Sequence, residues 1–286
     1  MSVVARRRLV ALLALAAAVV GVVLAVRAIQ EIARGYDPRG ATVSHAELRS
    51  EAVAGRTLKQ TYVAPAGGAA GRPLLVFLHG RGEDGADSNL SDELFTALRE
   101  LGDRAPAIVF PDGGEASYWH DRDDGAWGRY VLREAIPAAV RRLRADPRRI
   151  AIGGISMGGF GAFDLARRAP GRFCAVGGHS PAIWQQAGDT AAGAFDDAED
   201  FAAHDLIAAA RADAAPWRGI PLWLDGGDAD PFRAGGDAFA AALRAGGAQV
   251  QRTTRPGEHE GDYWRAHMRD YLRFYARALE RCPRAR

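Results

Sequence analysis

The chain has 286 residues, 48% of them hydrophobic and 25% charged, with two cysteines and a formal net charge of +2. That length suits one α/β domain with a large core. The composition excludes wholesale disorder and gives no basic face for nucleic acid. The excess positive charge belongs to Arg6, Arg7, Arg8 and Arg27, which no acid in their segment offsets, so residues 28–286 are slightly acidic.

Leu9 to Val26 is a run of eighteen uncharged residues directly behind Arg6-Arg7-Arg8, the layout of an export signal. The run is apolar all round, unlike an amphipathic core helix, and just reaches bilayer-spanning length. Val26-Arg27-Ala28 makes a poor cleavage site. The expectation is a signal anchor over residues 1–27, N-terminus inside and folded domain outside the membrane. A cleaved signal peptide and a secreted product is the alternative. Residues 28–44, with Gly35, Asp37-Pro38 and Gly40, predict a linker, and residues 45–286 the folded domain.

Along that domain, short apolar runs alternate with helical patterns, which predicts a mostly parallel central sheet with helices on both faces. A hairpin is expected from 45–53 and 57–64. Strands follow at Pro73–Leu78, Ala107–Phe110, Arg149–Ile155, Phe173–Gly177, Pro221–Leu224 and Ala248–Thr254. Helices fall between them at 90–101, 129–144, 158–169, 233–245 and 262–281. The alanine-rich stretch 184–218 predicts a helical excursion over the sheet, forming one wall of a pocket.

The strand ending at Ile155 runs into Gly154-Ile155-Ser156-Met157-Gly158, and a helical pattern with Phe163 and Leu165 follows. A serine there sits on a strained strand-to-helix turn that side chains at 154 and 158 would block. This is the nucleophile elbow of the α/β-hydrolase fold. A serine hydroxyl needs a histidine to take its proton and an acid to hold the imidazole tautomer. His259 lies on the loop between the last strand and last helix, where that fold places its base. His45, His204 and His267 lie before the sheet, in the excursion and inside a helix. For the acid, Asp225, Asp228 and Asp230 follow one strand end, and spacing does not choose among them. His79-Gly80-Arg81-Gly82 follows an earlier strand. Backbone N–H groups of Arg81 and Met157 are assigned to an oxyanion hole, and His79 to bracing that loop. Asp112, Trp119, His120, Trp127, His179 and Trp184 are assigned to the substrate pocket. This chemistry calls for no cofactor and no metal, and two cysteines cannot build a structural zinc site. In the expected fold Cys174 starts a strand and Cys282 ends the last helix, which allows a disulfide.

The elbow, His79-Gly80-Arg81-Gly82, Gly227-Asp228-Ala229-Asp230-Pro231-Phe232, and Gly257-Glu258-His259 through Trp264-Arg265-Ala266-His267 together resemble the esterase D family. That family includes S-formylglutathione hydrolases, feruloyl esterase modules and mycolyltransferases. The resemblance covers roughly residues 45–281 and implies Asp230 as the acid. It departs from the mycolyltransferases, which use a glutamate and a long tunnel, and from the cytoplasmic S-formylglutathione hydrolases. What it implies is an exported carboxylic-ester hydrolase using Ser156, His259 and Asp230 on a small-molecule, polysaccharide or lipid ester. Acyl transfer to a sugar or lipid alcohol and peptide cleavage use the same machinery. A non-catalytic binding protein of the same fold is the reading from another class.

Overall fold

The computed structural model describes residues 35–82 and 85–282. Met1–Pro38 and Arg39–Arg286 form two separate units, and the fold concerns the second. The apolar run Leu9–Val26 lies outside the described residues. Among the described residues no helix is long and apolar enough to cross a membrane.

An eight-stranded sheet is built in the order β1 (Thr42–Arg49), β2 (Thr57–Ala64), β4 (Ala107–Pro111), β3 (Pro73–Leu78), β7 (Asp146–Ile155), β8 (Val176–His179), β9 (Leu222–Gly227), β10 (Val250–Arg255). Only β2 runs against its neighbours; β4, β3, β7, β8, β9 and β10 pair in parallel. Each residue of Pro73–Leu78 is buried, as the middle of a sheet covered on both faces requires. The edge strands β1 and β10 carry the polar residues, which blunts their unpaired edges. A two-residue ribbon, β5 (Asp121–Arg122) with β6 (Gly125–Ala126), stands apart. It was not visible in the sequence because so short a run carries no periodicity.

Among the described residues the α-helices are α1 (Asp92–Leu101), α2 (Trp127–Tyr130), α3 (Ile136–Leu143), α4 (Met157–Arg168), α5 (Ala198–His204), α6 (Leu206–Ala212), α7 (Arg233–Ala245) and α8 (Gly261–Arg281). The expected helix 129–144 is a continuous run in which a π-turn, Val131–Ala135, joins α2 to α3. Successive strand residues face opposite sides of a sheet, and Gly153 and Gly154 use this. A side chain at Gly153 would overlap the Tyr275 hydroxyl of α8, whereas one at Gly154 would strike Gly158 at the start of α4. So α8 and α4 cover opposite faces. α7 packs on α4 through Phe163 and Phe239, ring centroids 5.1 Å apart. The excursion 184–218 holds α5, α6 and two short 3-10 turns. Sheet order, the antiparallel β2 and helices on both faces make this an α/β-hydrolase-like fold.

Several strand limits differ from expectation: β1 spans Thr42–Arg49 instead of 45–53 and so begins within the expected linker, and β7 starts at Asp146 instead of Arg149. β8 is formed by Val176–His179 instead of Phe173–Gly177, because the polar His179 finds a buried partner in Asp225. β9 continues to Gly227, so Asp225 is a strand residue and fully buried. Cys174 and Cys282 form a disulfide, Cα atoms 5.6 Å apart, tying the approach to β8 to the end of α8.

Candidate active site

Ser156 joins β7 to α4 with φ 53° and ψ −113°, a conformation unusual for any residue but glycine. Holding it there costs on the order of 1–3 kcal/mol, and the surroundings supply this. The Ser156 N–H donates to the His179 carbonyl (2.9 Å), and the Ser156 carbonyl accepts from Ala182 (3.0 Å) and Phe160 (3.1 Å). A Cβ at Gly154 would come within 2.5 Å of the Leu78 carbonyl oxygen, and one at Gly158 would overlap the same carbonyl. The two glycines are what let α4 cross β3 closely enough to lift the serine above the sheet.

The Ser156 hydroxyl donates to His259 Nε2 at 2.8 Å, and His259 Nδ1 donates to Asp230 Oδ2 at 3.1 Å. Asp230 Oδ1 also accepts from the Phe232 N–H at 2.8 Å. Burial works to raise the Asp230 pKa, but hydrogen bonds from His259 and Phe232 and the His259 charge outweigh it, holding the carboxyl below its ordinary value. The other two aspartates are committed elsewhere. Asp225 accepts from His179 (2.6 Å), Tyr263 (3.1 Å) and Tyr271 (3.0 Å) in a closed network beneath the elbow. Asp228 accepts from the Gly257 N–H at 3.0 Å and so stitches the loop of the acid to the loop of the histidine. The structure thus brings together Ser156, Asp230 and His259 out of all the candidates.

A cavity of about 490 Å³ opens over this constellation, lined among others by Arg81, Tyr118, Ser156, Phe232, His259 and Trp264. Gly80 and Gly82 also line it, and a Cβ at Gly80 would stand 3.5 Å from the Ser156 Cβ. The loop assigned to the oxyanion hole therefore runs beside the serine, and Met157 opens α4 next to it. His79 braces that loop as expected. Its Nδ1 donates to the Gly80 carbonyl (2.7 Å) and its Nε2 accepts from the Gly113 N–H (2.9 Å). The Gly113 N–H demands an unprotonated Nε2, and burial lowers the His79 pKa accordingly.

The six residues assigned to the pocket do not line this cavity. Trp119 and Trp127 are core side chains packed over Gly161, Gly113 and Gly114. His179 is fully buried between Asp225 and Tyr275, and His120 is buried against Asp200. Asp112 caps the Gly114 N–H. Trp184 packs on Tyr118 and Phe232, which do reach the cavity (ring centroids 5.3 Å from each). Tyr118, Phe232 and Trp264 were overlooked as lining. Tyr118 and Trp119 both take positive φ, 50° and 62°, with Tyr118 reaching the cavity and Trp119 packed over Gly161. Phe232 and Trp264 had a signal, since each lies close in sequence to a residue of the constellation.

The chain matches the family described as "Putative esterase" over residues 56–275. It belongs to that esterase family. Over 116 residues it is 33% identical to the esterase Rv1288 of Mycobacterium tuberculosis, covering 38% of this chain and 25% of that protein. The chain thus spans only about a quarter of the length of the curated relative it matches. Among solved structures it is similar to a ferulic acid esterase, with TM-score 0.73, 22% identity and coverage of 83% of this chain and 98% of that one. An S-formylglutathione hydrolase from Agrobacterium tumefaciens gives 0.68, 20%, 84% and 96%. The fluorophosphonate-binding serine hydrolase F of Staphylococcus aureus gives 0.66, 16%, 82% and 98%. At these identities the structures show the likeness of fold, and the constellation rests on the distances above.

Proposed function

We propose that the esterase is exported and cleaves its substrate by an acyl-enzyme route, with Ser156 as nucleophile, His259 as base and Asp230 as acid. The observation that carries this is the unbroken chain of hydrogen bonds from Ser156 through His259 Nε2 and Nδ1 to Asp230 at the floor of an open cavity. His259 takes the hydroxyl proton as Ser156 Oγ bonds to the ester carbonyl carbon. Backbone N–H groups of Arg81 and Met157 receive the oxyanion, where fixed dipoles stabilise charge without reorganising. His259 then passes its proton to the departing alcohol, activates a water, and the acid leaves Ser156 free. Asp230 keeps the imidazole in the Nδ1–H tautomer and offsets its transient charge. Tyr118, Phe232 and Trp264 provide an aromatic wall suited to an acyl or alkoxy group of one ring's size. Export is supported by the basic and apolar N-terminal run and by the Cys174–Cys282 bridge, since such bonds persist in oxidising compartments.

The test is Ser156→Ala in the full-length chain. Hydrolysis of short acyl esters is expected to fall by at least about 10⁴-fold, and fluorophosphonate labelling to vanish. Retained activity would refute the nucleophile. Products formed with added sugar alcohols would show whether another alcohol competes with water for the acyl group.

A further inference from the structure

We propose that His120, Asp200 and His204 form a binding site for a zinc-class divalent cation, away from the Ser156 cavity. His120 directly precedes β5, and Asp200 and His204 lie four residues apart on α5, on one face of the helix. One ligand atom from each residue falls within 4.8 Å of the others. Asp200 Oδ2 stands 3.0 Å from His120 Nε2, and Asp200 Oδ1 3.6 Å from His204 Nε2. A tetrahedral ion with bonds of about 2.0–2.1 Å spaces its ligands about 3.3–3.4 Å apart. These two distances run to different oxygens of the Asp200 carboxylate, and all three ligand atoms lie within 4.8 Å of one another, so a turn of that carboxylate and closer approach of the imidazoles would seat the ion.

The surroundings are those of a metal site. His204 Nδ1 donates to Asp164 Oδ2 at 3.0 Å, and Asp164 is fully buried, clamped by Arg167 and Arg168. This carboxylate–histidine pair fixes the tautomer and leaves the lone pair on Nε2, the arrangement that orients metal-bound imidazoles. His120 is fully buried with its Nε2 directed at Asp200. Two nitrogens and one carboxylate select zinc and its neighbours over calcium or magnesium, which prefer oxygen. Asp200 also lines a cleft of about 380 Å³, whose walls hold five further acids and two arginines. An acidic approach of that kind gathers cations. Arg168 Nη2 stands 3.1 Å from His204 Nε2 and must swing aside as the ion enters; its side chain is 40% exposed. Bound there, the ion ties α5 to the segment that supplies Tyr118 to the cavity wall.

The experiment strips the full-length protein with a chelator, then titrates it with Zn²⁺ by calorimetry and with Co²⁺ for its visible and X-ray absorption spectra. One ion per chain, a raised Tm and imidazole scattering are expected. Asp200→Asn and His120→Gln should each weaken binding at least about 100-fold, with fluorophosphonate labelling of Ser156 retained as the sign of a folded chain. Failure of the stripped wild type to take up Zn²⁺ would overturn the proposal. So would equal binding in both variants, or a bound ion without imidazole ligands. Should either variant not fold, the wild-type spectra alone decide.

Discussion

Asp230→Asn preserves the shape of the acid but not its ability to hold His259 in the Nδ1–H tautomer. We expect kcat to fall by roughly 10³–10⁴-fold with little change in Tm, measured on a short acyl ester. Among Asp225, Asp228 and Asp230, spacing offered only proximity, and the family resemblance pointed to Asp230. Asp225 and Asp230 differ because β9 continues past residue 224 and carries Asp225 under the sheet's surface, whereas Asp230 rises from the loop to meet His259. His79 adds a pH dependence. Its folded pKa lies below the ordinary 6.5 because burial, larger than the opposing effects of Gly80 and Asp112, disfavours the cation. The folded chain therefore binds fewer protons there than the unfolded one. This contribution to stability is complete above about pH 6.5 and is lost as pH falls through the lowered folded value. Denaturant midpoints taken from pH 8 to pH 5 should decrease accordingly, and a flat profile would contradict the assignment. Asp230 acts with the same sign at lower pH. Its depressed pKa contributes stability above about 3.8 that disappears as pH falls through the folded value.

At the level of elements, the strand–elbow–helix unit was the most legible part of the chain. An apolar strand, two glycines flanking Ser156 and a helical pattern behind them leave few other local solutions. Gly158→Ala tests the packing reason: its methyl would overlap the Leu78 carbonyl, so β3 and α4 must separate. The loss is expected to reach at least about 3 kcal/mol by denaturant unfolding, with labelling of Ser156 reduced in the fraction that folds. The segment 113–127 was the least legible. Its side chains were sorted by aromatic character alone, but Tyr118 and Trp119 take consecutive positive φ values, with the tyrosine on the cavity and the tryptophan over Gly161. Local sequence carries no signal for such a turn, because both residues ordinarily avoid that conformation.

Across the whole molecule, the Cys174–Cys282 bridge closes a loop with a sequence separation of 108 around β8, β9, β10 and α8. Cross-linking so long a loop restricts the unfolded chain, and its reduction should cost about 2–5 kcal/mol. Comparing unfolding midpoints with and without reductant measures this. An unchanged midpoint would mean the unfolded chain is already constrained.

Order along the chain was enough to specify the fold class, the nucleophile and the histidine. The alternation of buried strands with amphipathic helices is a local pattern, and the elbow is a local motif with a steric cause. The serine and histidine each lie at one end of such a pattern. Spacing did not choose Asp230, which the family resemblance implied; its pairing with His259, the exclusion of His179 and His120 from the cavity, and the gathering of His120 with Asp200 and His204 were left to the tertiary structure. Those choices depend on burial and on partners 29 to 84 positions away, and no spacing in the chain encodes which side of a strand or loop a buried polar group will find its partner.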